Sequence, residues 1–298
     1  MLGVGSMSTL LGRDPGAPVA NRPTMNDVPT NELATRATSR RGFTRIRIEH
    51  LGISYDTPNG RLTAMEDISF NIEGGEILCL VGPSGCGKSS LLNALSGFVA
   101  PTQGRIEVDG CEVGWSGLRR GVVFQEYALF PWYTVIENVR YGLRRKRLPE
   151  AEQILLVKHY IGLVGLTGFE ARYPRELSGG MRQRVSIARA LAVNPLLLLM
   201  DEPFASLDIQ TREYMQDELL KIWQRERPTV IFITHSIDEA IKLSDRVAIM
   251  TPRPGCIAEI KTVDSPRPRD LTNPAMVRLA AEVRNWLRRQ VFETSPAT

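Results

Sequence analysis

The chain has 298 residues, of which 43% are hydrophobic and 23% are charged, and its formal net charge is +4. This composition is ordinary for a soluble globular protein with a sizeable core. The longest apolar run, Leu196 to Met200, is far shorter than the roughly 20 residues that a membrane-spanning helix requires. Any role at a membrane therefore needs a partner.

The basic residues and the cysteines point to no nucleic-acid, zinc or disulfide site. Arginines cluster near the start, at 144–147 and near the end, but no aromatic residues interleave with them, so we interpret these runs as solvated faces rather than a nucleic-acid patch. The cysteines form no CxxC pair, which fits a reducing cytosol. They are Cys79, Cys86, Cys111 and Cys256.

The first 42 residues differ in composition from the rest of the chain. They are rich in Pro, Thr, Ser, Asn and Arg and lack the apolar core of a signal peptide. Their acidic residues also fit an organelle transit peptide poorly. We predict that residues 1–42 form a flexible N-terminal extension, to which the sequence assigns no role.

Two kinds of strand are predicted beyond this extension. Alternation of apolar and polar residues over 44–55 and 62–72 predicts half-exposed antiparallel strands. Continuous apolar runs at 77–81, 196–200, 230–233 and 247–250 predict strands buried on both faces, as in a parallel sheet covered by helices. Helical patterns alternate with these runs at 88–97, 179–193, 209–225 and 236–243, which predicts an α/β core.

Residues 134–176 interrupt this alternation. Their apolar spacing is mostly helical, and we interpret them as a helical insertion. After Met250 the turn TPRPG leads to a short strand near 257–263, a Pro-rich link and a final amphipathic helix over about 274–291.

The segment GPSGCGKS has the pattern of a phosphate-binding loop, between a buried strand and a helical pattern. Its glycines permit a tight backbone whose N–H groups converge on phosphate oxygens at a helix N-terminus. The Lys88 ammonium is placed for the β and γ phosphates, and the Ser89 hydroxyl for Mg²⁺. The predicted nucleotide contacts here are Gly82, Pro83, Ser84, Gly85, Cys86, Gly87, Lys88, Ser89 and Ser90.

Two further segments carry charge or backbone donors at positions suited to ligands. Asp201 and Glu202 end a buried strand, where Asp201 suits the magnesium shell and Glu202 suits a general base. In LSGGMRQR, Ser178 is a good helix N-cap, which places Gly179 and Gly180 in the first turn and creates a second anion site. One chain does not need two anion sites for one γ-phosphate. Two chains that face each other would use both sites.

The three motifs occur in the order and spacing of the ATP-binding cassette family, which residues 44–265 resemble. The resemblance implies roles for four further residues that would individually be taken as structural. Gln125 would touch Mg²⁺ and sense a permease, Asp208 would cross a dimer interface, and His235 would contact the γ-phosphate. Tyr55 would stack on adenine. Ser236 and Glu239 form a capping-box pattern that would fix the position of His235.

The resemblance implies an α/β fold: a P-loop NTPase core with a mostly parallel sheet, an antiparallel β subdomain and an inserted helical subdomain. We place the cassette at 43–265, the helical subdomain at about 126–178, and a link with an amphipathic helix at 266–298. The resemblance also implies a head-to-tail homodimer that binds two ATP molecules, each between the phosphate loop of one chain and the LSGG segment of the other. The cofactors implied are ATP and Mg²⁺.

Within the family, EYALFPW, MTPRPG and Met181 resemble importers of the nitrate, sulfonate and taurine type. The resemblance implies an ATPase on the cytoplasmic face of the plasma membrane that drives a separate permease and, indirectly, serves a solute-binding protein. Phe130, Pro131 and Trp132 would contact the permease, or would instead pack within the helical subdomain. Alternatives are an ABC ATPase of DNA repair or translation, a P-loop kinase or GTPase, and an ATP-gated binding module without catalysis.

One expectation concerns a side chain inside the phosphate loop. A thiol beside Lys88 and a helix N-terminus lies in positive potential, which lowers a thiol pKa. We therefore expect Cys86 to react early with a maleimide, as would an exposed Cys111 or Cys256, and Cys79 in a buried strand to be inert.

Overall fold

The computed structural model describes residues 45–58, 60–113, 119–144 and 148–293, and the side chains of all of these except 113 and 291–293. The predicted N-terminal extension and residues 145–147 of the second basic run lie outside the described residues. No helix in the described ranges combines the length and apolarity needed to cross a bilayer.

A four-stranded antiparallel sheet, sheet A, forms one face of the molecule. Its strands are ordered β2-β1-β4-β5. β1 pairs with β2 and with β4, and bulges interrupt both registers near Leu51. The bounds are β1 Ile46–Thr57, β2 Gly60–Ile72, β4 Gln103–Val108 and β5 Cys111–Val113.

A six-stranded sheet, sheet B, lies at the centre in the order β10-β9-β3-β8-β7-β6. Its neighbours pair in parallel except at the β10 edge, where β10 runs antiparallel to β9. The bounds are β3 Ile77–Val81, β6 Arg120–Val123, β7 Leu197–Asp201, β8 Thr229–Ile233, β9 Arg246–Met250 and β10 Ile257–Thr262. The mixed architecture confirms the predicted α/β fold.

Helices cover sheet B on one side, and a single described helix packs between the two sheets on the other. α1 lies between the sheets, and α2, α3 and α4 all lie in the chain segment between β6 and β7. The bounds are α1 Lys88–Ser96, α2 Val135–Tyr141, α3 Glu150–Leu163, α4 Gly179–Ala192, α5 Ile209–Glu226, α6 Ile237–Leu243 and α7 Pro274–Glu293, with a 3₁₀ turn at Pro174–Glu176.

The apolar core consists of two layers, one on each face of sheet B. Alternate residues of a strand enter opposite layers: Leu78 and Leu80 pack toward sheet A, whereas Cys79 packs toward the helices. Every residue of β3 and of β8 is buried, as expected for parallel strands covered on both faces. The carboxyl ends of these strands are therefore fixed by packing on both sides.

Two arginines fasten the segment before α7 to the core. The Arg269 guanidinium donates to the carbonyls of Ile241 at 2.7 Å and Val263 at 3.1 Å. Arg267 donates to Asp245 at 2.7 Å and lies 4.5 Å from the centre of the Trp223 ring. The bond to Ile241 satisfies a carbonyl in the last turn of α6, so the segment that leads into α7 is held next to the helix that begins just after His235.

Candidate functional site

The phosphate loop connects the end of β3 to the start of α1 and is held in a backbone conformation that needs glycine. Gly87, the residue before α1, has φ of 100°, which an L side chain rarely adopts. A Cβ there would also lie 2.6 Å from the Met65 Cγ atom. The Leu91 amide donates to the Gly87 carbonyl at 2.8 Å, so the helix begins directly at Lys88 with its first amides free.

The Lys88 side chain folds back across this loop. Its Nζ atom donates to the carbonyls of Gly82 at 2.8 Å and Pro83 at 2.9 Å. The residue is 9% exposed, and a charge so little hydrated needs such partners. The protein therefore holds the ammonium over the loop, at the end of the helix where the dipole also favours anions.

Asp201 and Ser89 meet beside the loop. Asp201 is the last residue of β7, and the Ser89 hydroxyl lies near enough to its carboxylate to favour the charged form. Burial raises the pKa of Asp201 and the Glu202 carboxylate adds to the rise, while Lys88 and Ser89 oppose it. A half-buried carboxylate with a negative neighbour is stabilised by a cation.

This donor set fits Mg²⁺. Magnesium is held by one or two protein oxygens together with substrate phosphates rather than by an all-protein cage, and Ser89 and Asp201 are oxygen donors next to a phosphate loop. Gln125 lies two residues after Val123, the residue that pairs with Met200 across β6 and β7. It is exposed at the same edge of the sheet as Asp201.

Glu202 and His235 form a second pair at this edge. His235 Nδ1 lies 2.9 Å from Glu202 Oε1, and the two side chains are 66% and 18% exposed, respectively. Glu202 has φ of 44°, and its amide donates to the Ile233 carbonyl at 2.9 Å. A non-glycine residue in this left-handed region costs about 1–3 kcal/mol and is found most often at functional sites.

The predicted capping box after His235 is half wrong. The Ser236 hydroxyl accepts from the Glu239 amide at 3.3 Å, as expected. The Glu239 carboxylate does not return to Ser236, because the Ser236 amide already donates to Thr234 Oγ1 at 3.0 Å. Glu239 instead accepts from Gln216 Nε2 at 3.0 Å within the core, so α6 is fixed to α5.

The LSGG segment opens α4 as the sequence predicts. Ser178 is the N-cap, and its hydroxyl accepts from the Met181 amide at 3.3 Å. A Cβ on Gly180 would lie 3.2 Å from Thr211 Cγ2, so the start of α4 lies against the start of α5. Asp208 caps α5 by accepting from the Thr211 amide at 3.0 Å.

The structure therefore brings the predicted residues together in two groups. The loop group consists of Lys88, Ser89, Asp201, Glu202 and His235, at the carboxyl ends of β3, β7 and β8. The signature group consists of Ser178, Gly179, Gly180 and Asp208, at the starts of α4 and α5. Tyr55 lies apart from these contacts: it pairs with Leu62 across β1 and β2 and packs partly against the sheet A core.

The structure contradicts the expectation that Cys86 is accessible. Its side chain is fully buried in the core layer between the two sheets. Its sulfur lies 3.5 Å from Lys88 Nζ, so the predicted proximity to the lysine holds, but the thiol faces away from solvent. The side chain at this position therefore belongs to the core.

Two contributors to the site are not apparent from the sequence. The turn at 251–256 packs behind the phosphate loop, where the Gly255 amide donates to the Ala64 carbonyl at 3.0 Å and a Cβ on Gly255 would lie 2.0 Å from the Cys86 carbonyl oxygen. The sequence indicates the TPRPG turn, but nothing local indicates what it packs against. The second contributor is Tyr127, which contacts the signature group.

Comparisons with known proteins agree on one family. The family model described as ABC transporter matches residues 65–205. An uncharacterized ABC transporter ATP-binding protein of Methanocaldococcus jannaschii is 48% identical over 84% of this chain and 94% of its own length. The nitrate import ATP-binding protein of Synechococcus elongatus is 43% identical over 86% of this chain and 96% of its own length.

Solved structures agree with these relatives. A dimeric structure of a bacterial ABC transporter cassette has a TM-score of 0.64 and 29% identity, over 74% of this chain and 99% of that chain. A dimeric post-hydrolysis state of that cassette, bound to ADP and Pi, has a TM-score of 0.63 and 28% identity, over the same shares of the two chains.

Proposed function

This chain belongs to the ABC transporter ATP-binding proteins, a family that binds and hydrolyses ATP, and we propose that it is the motor subunit of an importer. The observation that carries the proposal is the loop group. A phosphate loop with its own lysine stands beside an Asp201–Ser89 pair and a Glu202–His235 pair, all on one sheet edge. These are the parts that phosphoryl transfer to water needs: a cradle, a cation site and a base.

Each side chain has a distinct part in the reaction. The loop amides and Lys88 hold the β and γ phosphates of ATP, and Tyr55 stacks on the adenine. Ser89, Asp201 and Gln125 would hold Mg²⁺, which neutralises phosphate charge when bound. Glu202 accepts a proton from the attacking water. His235 holds the Glu202 carboxylate at 2.9 Å, and its exposed ring face is free to contact the γ-phosphate.

The protein works as a homodimer in this proposal. The signature group supplies Ser178, Gly179 and Gly180 to the ATP bound by the opposite chain, and Asp208 crosses the interface. The exposed Ser178 at the N-cap and the partly exposed Gly179 in the first turn of α4 support this role, since a helix start binds anions. The solved cassette similar to this chain is a dimer.

The partner is an integral membrane permease, which this subunit contacts from the cytoplasmic face of the plasma membrane. The similarity to a nitrate import protein supports import. The proposed cargo, delivered by a solute-binding protein, is nitrate, a sulfonate, taurine or a related small solute. The same relatives give no support to a role in DNA repair or translation.

Replacing the proposed base tests the chemical step. Glu202→Gln keeps the shape of the side chain but removes its basicity, so ATP hydrolysis should fall by about 100- to 10,000-fold while ATP binding persists. Phosphate release and equilibrium binding of a fluorescent ATP analogue measure the two effects. The variant should also accumulate as an ATP-bound dimer in size-exclusion chromatography.

Glu213→Gln is the matched control, because Glu213 is an exposed glutamate on α5. It should hydrolyse ATP at the wild-type rate. Near-normal turnover by Glu202→Gln would refute the assignment of Glu202 as the base, and a wild-type chain without ATPase activity would refute the proposed function.

A further inference from the structure

Tyr127 joins the segment that carries Gln125 to the signature group. Its hydroxyl oxygen lies 3.1 Å from Ser206 Oγ, two residues before Asp208. A Cβ on Gly179 would lie 3.1 Å from the same hydroxyl. The tyrosine therefore touches the start of α4 and the approach to α5 at one point.

Two arginines of helix α4 also contact Tyr127. The Arg182 guanidinium lies 5.5 Å from the centre of the Tyr127 ring, a distance typical of a cation–π pair. Two turns further along α4, Arg189 donates to the Ala128 carbonyl at 2.7 Å and to the Tyr127 carbonyl at 3.1 Å. Helix α4 thus contacts both the ring and the backbone of Tyr127.

The backbone at this point is strained. Tyr127 and Ala128 have φ of 54° and 46°, a region that costs energy for residues with side chains. Two consecutive residues of this kind persist only when their surroundings fix them, and here the paired Arg189 bonds do so. With this backbone, the Tyr127 side chain lies against Ser206 and Gly179.

We propose that Tyr127 is a positioning residue for the ATP site of the opposite chain. The inference rests on the proposed function, in which Gln125 serves the ATP bound by its own chain while Gly179 and Asp208 serve the ATP bound by the partner. By bonding to Ser206 and lying against Gly179, the Tyr127 hydroxyl holds the start of α4 and the approach to α5 where they meet the partner's ATP. A movement of the Gln125 segment at one ATP site therefore reaches the other site through this side chain.

Tyr127→Phe removes the hydroxyl bond to Ser206 and leaves the ring over Arg182. A single uncharged hydrogen bond of this kind corresponds to about a 3- to 10-fold loss of kcat. The KM for ATP should change little, because the phosphate loop is untouched. Ser206→Ala should give the same loss, and the double variant should be no worse than either single variant.

Tyr214→Phe is the control for a general effect of losing a tyrosine hydroxyl. Tyr214 is half-exposed, and its ring lies 5.0 Å from Arg184, another arginine of α4. Its variant should match the wild type in kcat and KM. Thermal melting of all variants identifies any that fail to fold.

A mixed dimer tests the proposal, because the effect of Tyr127→Phe should depend on which of the two chains carries it. With Lys88→Ala in one chain, the remaining ATP site combines the other chain's phosphate loop with the signature group of the Lys88→Ala chain. Tyr127→Phe should slow single-turnover hydrolysis when it is in the Lys88→Ala chain and should have little effect in the other chain. Equal loss from both placements, loss only from the other chain, or no loss overturns the proposal. If the wild type hydrolyses ATP but the effect of Tyr127→Phe does not depend on which chain carries it, only this inference is contradicted and the proposed function stands.

Discussion

At the scale of single residues, the polar groups of the loop group are held in place by the protein itself. Lys88 is bound by two loop carbonyls, and Glu202 is held in a left-handed conformation by the end of β8. Groups fixed in this way need no reorganisation when charge develops on the phosphate, which is the main source of electrostatic catalysis. The burial of β7 and β8, which hold Glu202, offsets the energetic cost of its backbone strain.

The burial of Cys86 leads to a prediction about thiol chemistry. Cys111 is exposed and Cys256 is half-buried, whereas Cys79 and Cys86 are buried. Burial and the Glu239 carboxylate also raise the pKa of the Cys79 thiol well above its usual value. A maleimide should therefore label Cys111 first, then Cys256, and leave Cys79 and Cys86 unlabelled until the protein unfolds. Peptide mapping over a labelling time course measures this order.

Labelling in denaturant serves as the control that all four thiols are reactive. Labelling of Cys86 at the rate of Cys111 in the folded protein would contradict the buried position. The sequence could predict a phosphate loop here, because glycine spacing reports backbone geometry directly. It could not predict the direction of the Cys86 side chain, since a loop has no periodicity that assigns side chains to the inside or outside.

At the scale of elements, the phosphate loop depends on a turn that is distant in sequence. Gly255 bonds to the β2 backbone through its amide and its carbonyl, and it leaves no space for a Cβ beside Cys86. The strands and helices were predictable because burial on both faces produces continuous apolar runs and helices produce their own period. The packing of this turn on the loop was not, because it depends on how β9 and β3 pair in the folded sheet.

Gly255→Ala should therefore displace the phosphate loop. The added Cβ would lie 2.0 Å from the Cys86 carbonyl oxygen, and since that atom is backbone, the loop or the turn must shift. We expect a raised KM for ATP, weaker ATP binding and a lower melting temperature. Gly162→Ala, whose nearest neighbour would be 3.7 Å away, controls for the loss of a glycine. Unchanged ATP affinity in Gly255→Ala would mean that the turn does not shape the loop.

At the scale of the whole molecule, an aromatic patch lies on the helical side. Phe130 packs against the rings of Tyr133 and Tyr141 at 5.5 and 4.5 Å, and its amide donates to Asn138 at 2.9 Å. Trp132 is 66% exposed. The two expectations for this segment each describe part of it: Phe130 is packed within the helical segment, and Trp132 is free to meet a partner.

Trp132→Ala should therefore uncouple transport from hydrolysis. An exposed aromatic side chain contributes most of its free energy to an interface rather than to folding. In membrane vesicles with the permease, solute uptake should fall strongly, while the ATPase rate of the free subunit stays near the wild-type value. Phe169→Ala is a suitable control, because Phe169 is also exposed, at 41%. An equal loss of uptake and ATPase activity in Trp132→Ala would instead favour a role in the core.

The division of the predicted residues into two groups has its main consequence in the dimer. In the proposed dimer, each chain would contribute a loop group to one ATP site and a signature group to the other. Ser178→Arg and Lys88→Ala should each abolish hydrolysis as homodimers, because each leaves both sites with one lesion. In the mixed dimer, the loop group of the Ser178→Arg chain meets the signature group of the Lys88→Ala chain, and that site carries neither lesion.

Mixing the two inactive variants should therefore restore ATPase activity, with a maximum near equal amounts. The matched control mixes Lys88→Ala with Asp201→Asn. Both of these lesions lie in the loop group, so every site in that mixed dimer keeps one lesion and no activity should return. ATP hydrolysis is measured across mixing ratios, and tags on the two chains verify that mixed dimers form. If Ser178→Arg and Lys88→Ala form mixed dimers that stay as inactive as the parents, the two groups do not serve opposite sites. Activity in the control mixture would mean instead that Asp201 and Lys88 belong to different sites.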